Sequence, residues 1–380
     1  MSIIINILLL LVVISVLTFV HELGHFIAAK LVKAKVLEFS VGFGPKIYSK
    51  KKNKTDFSIR ILPFGGYVKI LGDGDPSESK ENKKDKGNLK NKSKPAQMFV
   101  MLAGVTMNIV LAITFYTIFL AGSDWRLNIG REYSNFNPVG ATITQERVSD
   151  LPYELTEDSP AIESGLYQRG YIKSIDGEKI DNYDQFREYL KDIKNVDIEI
   201  FACEVETEEC NIFLVPVDEK GKIGMYVGDN YAVYLDYNDN KIFGGFTHVI
   251  NVLKLTGIVL GNLFSEAQKT GDYSTLSNTV SGPVGIYFVI DYFKNLGIYI
   301  FLGIIADLSV SLAIINLLPI PALDGGRVMI LTIESILRKD LNEKLETIII
   351  NISFIFLILL IIGIMLKDII NIDQLQSWFR

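Results

Sequence analysis

Cysteine and histidine are both scarce, two and three respectively among 380 residues. Two cysteines cannot build a disulfide-dense secreted scaffold, and nothing around them suggests a cysteine-held metal. No internal repeat is present, which excludes a solenoid or propeller. No nucleic-acid motif is present either, so nucleic acid is not an expected partner. The first apolar run lacks a basic leader and a small-residue cleavage pattern, and it is too long for the core of a signal peptide. It is therefore expected to remain as a membrane helix. Charge is nearly absent from four stretches, Ile3–Val20, Met98–Ala121, Leu296–Leu318 and Ile348–Leu366, with Asp307 the exception.

A hydrophobic share of 49% is within reach of a soluble domain, so it is the clustering that matters. Each of the four runs is about 20 residues long, enough for a helix to cross roughly 30 Å of hydrocarbon. The expected fold is a multi-span α-helical membrane protein with four transmembrane helices. Between the second and third lies a polar stretch of ordinary domain size, read as an inserted α+β domain. Lys30–Lys94 holds 17 Lys and Arg against 7 Asp and Glu, whereas Ser123–Gly245 holds 12 against 25. Short basic loops stay in the cytoplasm. The acidic domain and both termini are thus expected on the outer side. Asp75–Lys94 reads as a disordered, solvated cytoplasmic linker.

The chemistry begins at His21-Glu22-Leu23-Gly24-His25. Two histidines at i and i+4 face one side of a helix and can reach one metal. The glutamate between them is placed to take a proton from water. Two of the three histidines fall here, inside an apolar helix where an ionisable group is costly without a partner. His248 lies too far outside to be the third ligand and is expected at a water-facing surface. Asp324, in Asn316-Leu-Leu-Pro319-Ile-Pro321-Ala-Leu-Asp324-Gly-Gly-Arg327, follows the third span at the depth of His21 and His25. It reads either as the third ligand or as the cap of the next helix. Gly244–Phe264 is apolar enough for a fifth span. Had it crossed, Asp324 would emerge ~30 Å from the histidines. Thr247–Ser265 is therefore expected to lie on the outer interface, with His248, Asn251, Lys254 and Asn262 toward water.

At these residues the chain resembles the site-2 protease family, in its bacterial regulator-of-sigma-E, anti-sigma-factor-cleaving type. His21-Glu22-x-x-His25 and Asn316 to Gly325 match its two catalytic motifs. Val41-Gly42-Phe43-Gly44-Pro45 and Leu62-Pro63-Phe64-Gly65-Gly66-Tyr67-Val68 look like its membrane-associated β-hairpin. Ser281-Gly282-Pro283-Val284-Gly285-Ile286 is also typical. The resemblance implies one zinc ion per chain held by His21, His25 and Asp324, with Glu22 as catalytic base. It also implies cleavage of single-span membrane proteins in the bacterial inner membrane, such as anti-sigma factors or remnant signal peptides. Asn316, Pro319, Gly65, Gly66 and Asn108 are the candidate substrate contacts. Val105 stands where the family commonly has proline, and Ser311 where it has asparagine. Neither touches the ligand positions. The implied division is 1–32 first span with the zinc motif, 33–97 hairpin and basic loop, 98–122 second span, 123–243 outer domain, 244–294 interfacial helices, 295–337 third span with the Asp-Gly-Gly motif, and 338–380 fourth span.

The outer domain resembles a PDZ module, through Ser159-Pro160-Ala161, Gly165-Leu166 and Gly170 to Ile180. These read as a loop, a strand, an Asp176-Gly177 turn and a second strand, and Asn182–Leu190 suits a short helix. A PDZ groove takes peptide by strand addition. Whether this one holds a peptide ligand or screens bulky substrates stays open, as does a Cys203–Cys210 disulfide across a hairpin. Two other classes are weighed. A membrane metal carrier leaves Glu22 and the PDZ module unexplained. A non-catalytic scaffold leaves the full ligand set unexplained.

Overall fold

The computed structural model describes residues 2–73, 84–156 and 159–372. The chain divides into two compact units, one from residues 1–124 and 241–380, the other from 125–240. The first unit opens with helix α1 (Ser2–Leu31), strands β1 (Val36–Lys52) and β2 (Thr55–Ile70), and helix α2 (Lys94–Gly122). The second carries β3 (Arg126–Asn128), β4 (Thr142–Arg147), β5 (Leu151–Leu155), β6 (Arg169–Ile175), β7 (Glu178–Lys179), α3 (Tyr183–Leu190), β8 (Asp197–Glu204), β9 (Cys210–Pro216), β10 (Met225–Val227) and β11 (Tyr231–Asp236). The first unit resumes with α4 (Gly244–Thr270), α5 (Ser274–Thr279), α6 (Pro283–Phe293), α7 (Ile298–Leu317), α8 (Asp324–Leu337) and α9 (Glu343–Ile370).

Among the described residues, five helices are long and apolar enough to cross a membrane: α1, α2, α4, α7 and α9, with α4 the least apolar. Several of their hydroxyls are spent inside the helix, as an apolar surrounding favours. Ser15 and Thr18 donate to the carbonyls of Leu11 and Ile14 at 2.7 and 2.9 Å, and Thr106 to that of Leu102 at 2.9 Å. At one end of the bundle Asn6 on α1 donates to Asp291 on α6 at 2.6 Å. There Gly122 closes against Tyr299, and Asp368 near the end of α9 accepts the backbone N–H groups of Gly282 and Gly285 at 2.8 and 3.1 Å. That carboxylate caps α6 from another helix. At the opposite end Lys94 pairs with Glu334 at 2.6 Å and Lys90 with Glu346 at 3.5 Å.

Helix α4 starts at the first of these ends, where Gly245 packs on Ile113 and Thr117. Helix α5 is held at the same end, where Lys367 donates to the carbonyl of Ser277 at 3.1 Å. Past Val252 most of α4 is exposed. His248 and Asn251 differ from expectation. Both are buried, His248 edge-on to Tyr116 with ring centroids 4.5 Å apart. The helix turns these polar groups into the bundle and not toward water.

The hairpin is bent, so Ser40 pairs with Tyr67 on one side and Ser58 on the other. Its root is anchored by Phe39, edge-on to Phe19 and Phe26 of α1 at 5.6 and 5.3 Å. Of the expected linker over Asp75–Lys94, residues 75–83 lie outside the described residues. From Lys84 the chain is packed and not disordered: Leu89 is buried among Ala28, Val36, Ile70 and Val100.

In the second unit a sheet of order β10-β5-β6-β8-β9, with β7 on β6, stands beside a three-stranded sheet β3-β11-β4. Alternation in β8 turns Ile198, Ile200 and Ala202 into a core with Leu151, Ile172, Ile175 and Val215. The expected strand, Asp176-Gly177 turn and strand are present, with φ of 46° and 81° at the turn, the geometry a tight hairpin needs. The side chain of Asn182 caps α3 by accepting from Gln185 N–H at 2.9 Å. Cys203 and Cys210 are cross-strand partners and form a disulfide.

Candidate metal centre

His21, Glu22 and His25 lie in the last turns of α1. The Nε2 atoms of the two histidines are 3.1 Å apart. Asp324 Oδ2 lies 3.1 Å from His21 Nε2 and 3.2 Å from His25 Nε2. A tetrahedral zinc site with bonds of about 2.0–2.1 Å separates its ligands by roughly 3.3 Å, so the triangle has the right size. Both histidines are buried, and Asp324 Oδ2 has no hydrogen-bond partner of its own among the described residues. Three lone-pair atoms this close repel one another unless a proton or cation sits among them. Two nitrogens and a carboxylate oxygen are a donor set that suits zinc.

Backbone proximity makes this convergence possible. A Cβ on Gly24 would come 2.3 Å from the Ala103 carbonyl, so α1 and α2 touch there. A Cβ on Gly104 would come 2.4 Å from His25 Nε2 and 2.6 Å from His21 Cε1, so both imidazoles lie against bare α2 backbone. Asp324 occupies the first turn of α8, after Leu323 at the N-cap, and its carboxylate turns to the histidines. A Cβ on Gly325 or Gly326 would come 2.1 Å from the Leu317 carbonyl or 2.0 Å from that of Ile320. Glycine is what lets this turn fold back over the end of α7.

His25 Nδ1 lies 2.8 Å from the Val100 carbonyl. A carbonyl only accepts, so Nδ1 carries the proton and the Nε2 lone pair faces the triangle. His21 Nδ1 lies 3.2 Å from the side-chain amide of Asn108, which is fully buried. Glu22 Oε2 accepts the backbone N–H of Val68, on the β2 run Gly66–Ile70, at 2.9 Å.

The other expected contacts differ in kind. Asn316, near the end of α7, is half-buried with no hydrogen-bond partner among the described residues, and Pro319 is exposed in the following loop. Gly65, with φ +75°, packs its α-carbon on the Phe43 ring, and Gly66 packs on the Ser40 carbonyl. Both are packed closely within the hairpin. His248 contributes to the α2–α4 contact and not to the triangle. Sequence reasoning missed Gly104, Val100 and the Val68 N–H. The last two act through backbone atoms, which leave no residue signature.

The model of peptidase family M50 matches residues 9–360. A Clostridium perfringens protein that carries a zinc-metalloprotease name is 34% identical over 360 residues, covering 94% of this chain and 96% of the relative. The regulator of sigma-W protease RasP of Bacillus subtilis is 29% identical over 421 residues, again covering 94% and 96%. A Clostridium acetobutylicum protein with a zinc-metalloprotease name is 30% identical over 368 residues, covering 96% and 97%. The chain belongs to peptidase family M50 and is a multi-pass membrane zinc metalloprotease.

Proposed function

We propose that the chain cleaves single-span membrane proteins inside or at the edge of the bilayer, with anti-sigma factors and remnant signal peptides as the substrate class. The observation that carries the reading is the triangle of His21, His25 and Asp324, with Glu22 on the same helix and bonded to the hairpin edge. The similarity to a regulator of sigma-W protease favours anti-sigma factors within that class. His21, His25 and Asp324 would hold the zinc ion, which would supply Lewis acidity and lower the pKa of water there. Glu22 takes the proton from the attacking water and returns it to the leaving amine.

A helical substrate hides its peptide bonds and has to unwind locally. The hairpin supports strand pairing with the unwound segment, and the unbonded side chain of Asn316 is free to hydrogen-bond its backbone. Gly65 and Gly66 serve by keeping the hairpin edge flat, and Pro319 by shaping the loop before Asp324. Four spans, α1, α2, α7 and α9, fit the charge pattern. Between Gly271 and Ser277 an extended chain reaches about 20 Å, less than the roughly 30 Å of hydrocarbon. Since α4 starts and α5 sits at one end of the bundle, α4 is read as interfacial. Both termini and the β-rich unit are then outside the cytoplasm, and that unit, PDZ-like in strand, turn and helix order, screens substrates by size.

The test uses the purified full chain in lipid vesicles with a single-span anti-sigma factor as substrate. Zinc-dependent cleavage within the transmembrane segment, lost on chelation and restored by zinc, supports the reading. Zinc uptake into the vesicles with no cleavage would return it to a metal carrier.

A further inference from the structure

We propose that Asn108 is a positioning residue for His21. Its amide oxygen accepts the Nδ1–H of that imidazole and so keeps the Nε2 lone pair turned to the metal position. The inference rests on the ligand set proposed above. It reassigns a residue that the sequence offers as a substrate contact. The reassignment follows from burial: the side chain is 0% exposed, beneath the α1 helix, and cannot reach a substrate.

Helix α2 treats the two histidines in parallel. Val100, Gly104 and Asn108 are spaced by one turn each and form one stripe facing α1. Val100 at one end supplies a carbonyl to His25 Nδ1 at 2.8 Å. Gly104 in the middle leaves room for both rings. Asn108 at the other end meets His21 Nδ1 at 3.2 Å. The same stripe is therefore suited to set the tautomer of both ligands.

The chemistry decides which amide atom faces His21. If the amide nitrogen did, Nδ1 would have to accept, and a neutral imidazole would carry its proton at Nε2. That proton would point among the three donor atoms and remove a lone pair from the set. Asn108 Oδ1 is meanwhile buried without a partner among the described residues. Turning the amide by half a rotation exchanges two groups of nearly equal size and gives Oδ1 the Nδ1–H. Asn108 is fixed from a third helix, because Ser309 Oγ on α7 donates to its backbone carbonyl at 2.8 Å. Partners of this kind orient ligand imidazoles and sustain metal affinity.

The experiment measures zinc affinity of the purified full chain by competition with a chromophoric chelator, so no cleavage is needed. Asn108→Leu, close in size but without an acceptor, is expected to weaken zinc ~10–100-fold. Asn108→Asp keeps an acceptor and is expected to retain wild-type affinity or better. Asn108→Ala repeats the loss should the leucine variant fail to fold. Unchanged affinity in both Asn108→Leu and Asn108→Ala overturns the proposal. So does an Asn108→Asp loss as large as that of Asn108→Leu, which would assign the contact to the amide nitrogen. His21→Ala separates the two layers. If it loses zinc while Asn108→Leu does not, this inference alone falls. If His21→Ala keeps zinc, the ligand set falls and the inference with it.

Discussion

Glu22 and Val68 are joined across the site: the glutamate carboxylate, one residue from a ligand histidine, accepts the Val68 backbone N–H at 2.9 Å. The hairpin edge thus touches the proposed base directly. It fixes one oxygen of Glu22 and leaves the other for the reaction. A carboxylate in so apolar a place needs such a donor, since an unsatisfied charged group costs several kcal/mol to bury (about).

Glu22→Gln should keep the fold and the metal, because the amide oxygen still accepts from Val68. It should lose cleavage by ~10²–10⁴-fold, the usual scale for a general base. Val68→Pro removes the N–H and should lower cleavage about 10–100-fold, the worth of a hydrogen bond to a charged group, with zinc retained. Cleavage of a single-span reporter and metal content of the same preparations decide it; near wild-type cleavage by Glu22→Gln would refute the mechanism.

Asp324→Asn replaces a charged oxygen donor by a neutral amide of the same shape. Zinc affinity should drop while the packing of Gly325 and Gly326 against the Leu317 and Ile320 carbonyls is left intact. Full zinc occupancy at unchanged affinity, read by metal analysis after dialysis against a chelator, would leave Asp324 as a first-turn acid of α8 and require another third ligand.

Gly104→Ala puts a methyl 2.4 Å from His25 Nε2. Neither the rings nor α2 can yield without moving the donor triangle. A displacement near 1 Å costs ~10²-fold in rate, and zinc affinity should fall with it. Normal zinc binding and cleavage by this variant would show that the helices separate more readily than their contacts suggest.

The hairpin should respond to acid through Glu38. Burial opposes ionisation there, but hydrogen bonds from Ser58, Arg60 and Lys46 outweigh it and hold the Glu38 carboxyl below its usual range. A depressed carboxyl stabilises the fold above its unfolded value of about 4.3, and that contribution is lost as pH falls through the folded value. A spin label at Lys50 should stay immobile from neutral pH down to about 4 and gain mobility below. Glu38→Gln should be mobile throughout; a wild-type label insensitive to acid would remove Glu38 from this role.

Cysteine introduced at Gly271 reports whether α4 crosses. An impermeant thiol reagent added outside intact cells, with any outer barrier opened, should label it. Labelling that requires the inner membrane to be broken would place α4 as a span and reverse the sides of α7 and α9.

The apolar runs themselves, the H-E-x-x-H motif and the strand–turn–strand at Arg169–Lys179 were legible in the amino-acid order. Each is a local pattern, set by residue type at fixed spacing along a helix or strand. The pairing of Asp324 with the histidines was legible as one of two readings, because depth in a bilayer follows from counting spans. The burial of His248 and Asn251 was not legible. An amphipathic helix has two faces, and only its neighbour decides which one is covered. Nor were Val68 on Glu22 and Val100 on His25, since a backbone N–H or carbonyl is the same at every residue. Gly104 could be read only as a small residue between apolar ones until two imidazoles were packed against it. The order of residues determined which groups could do chemistry. Tertiary packing decided which atoms hold them in place, because that holding is done by close approach between segments far apart in the chain.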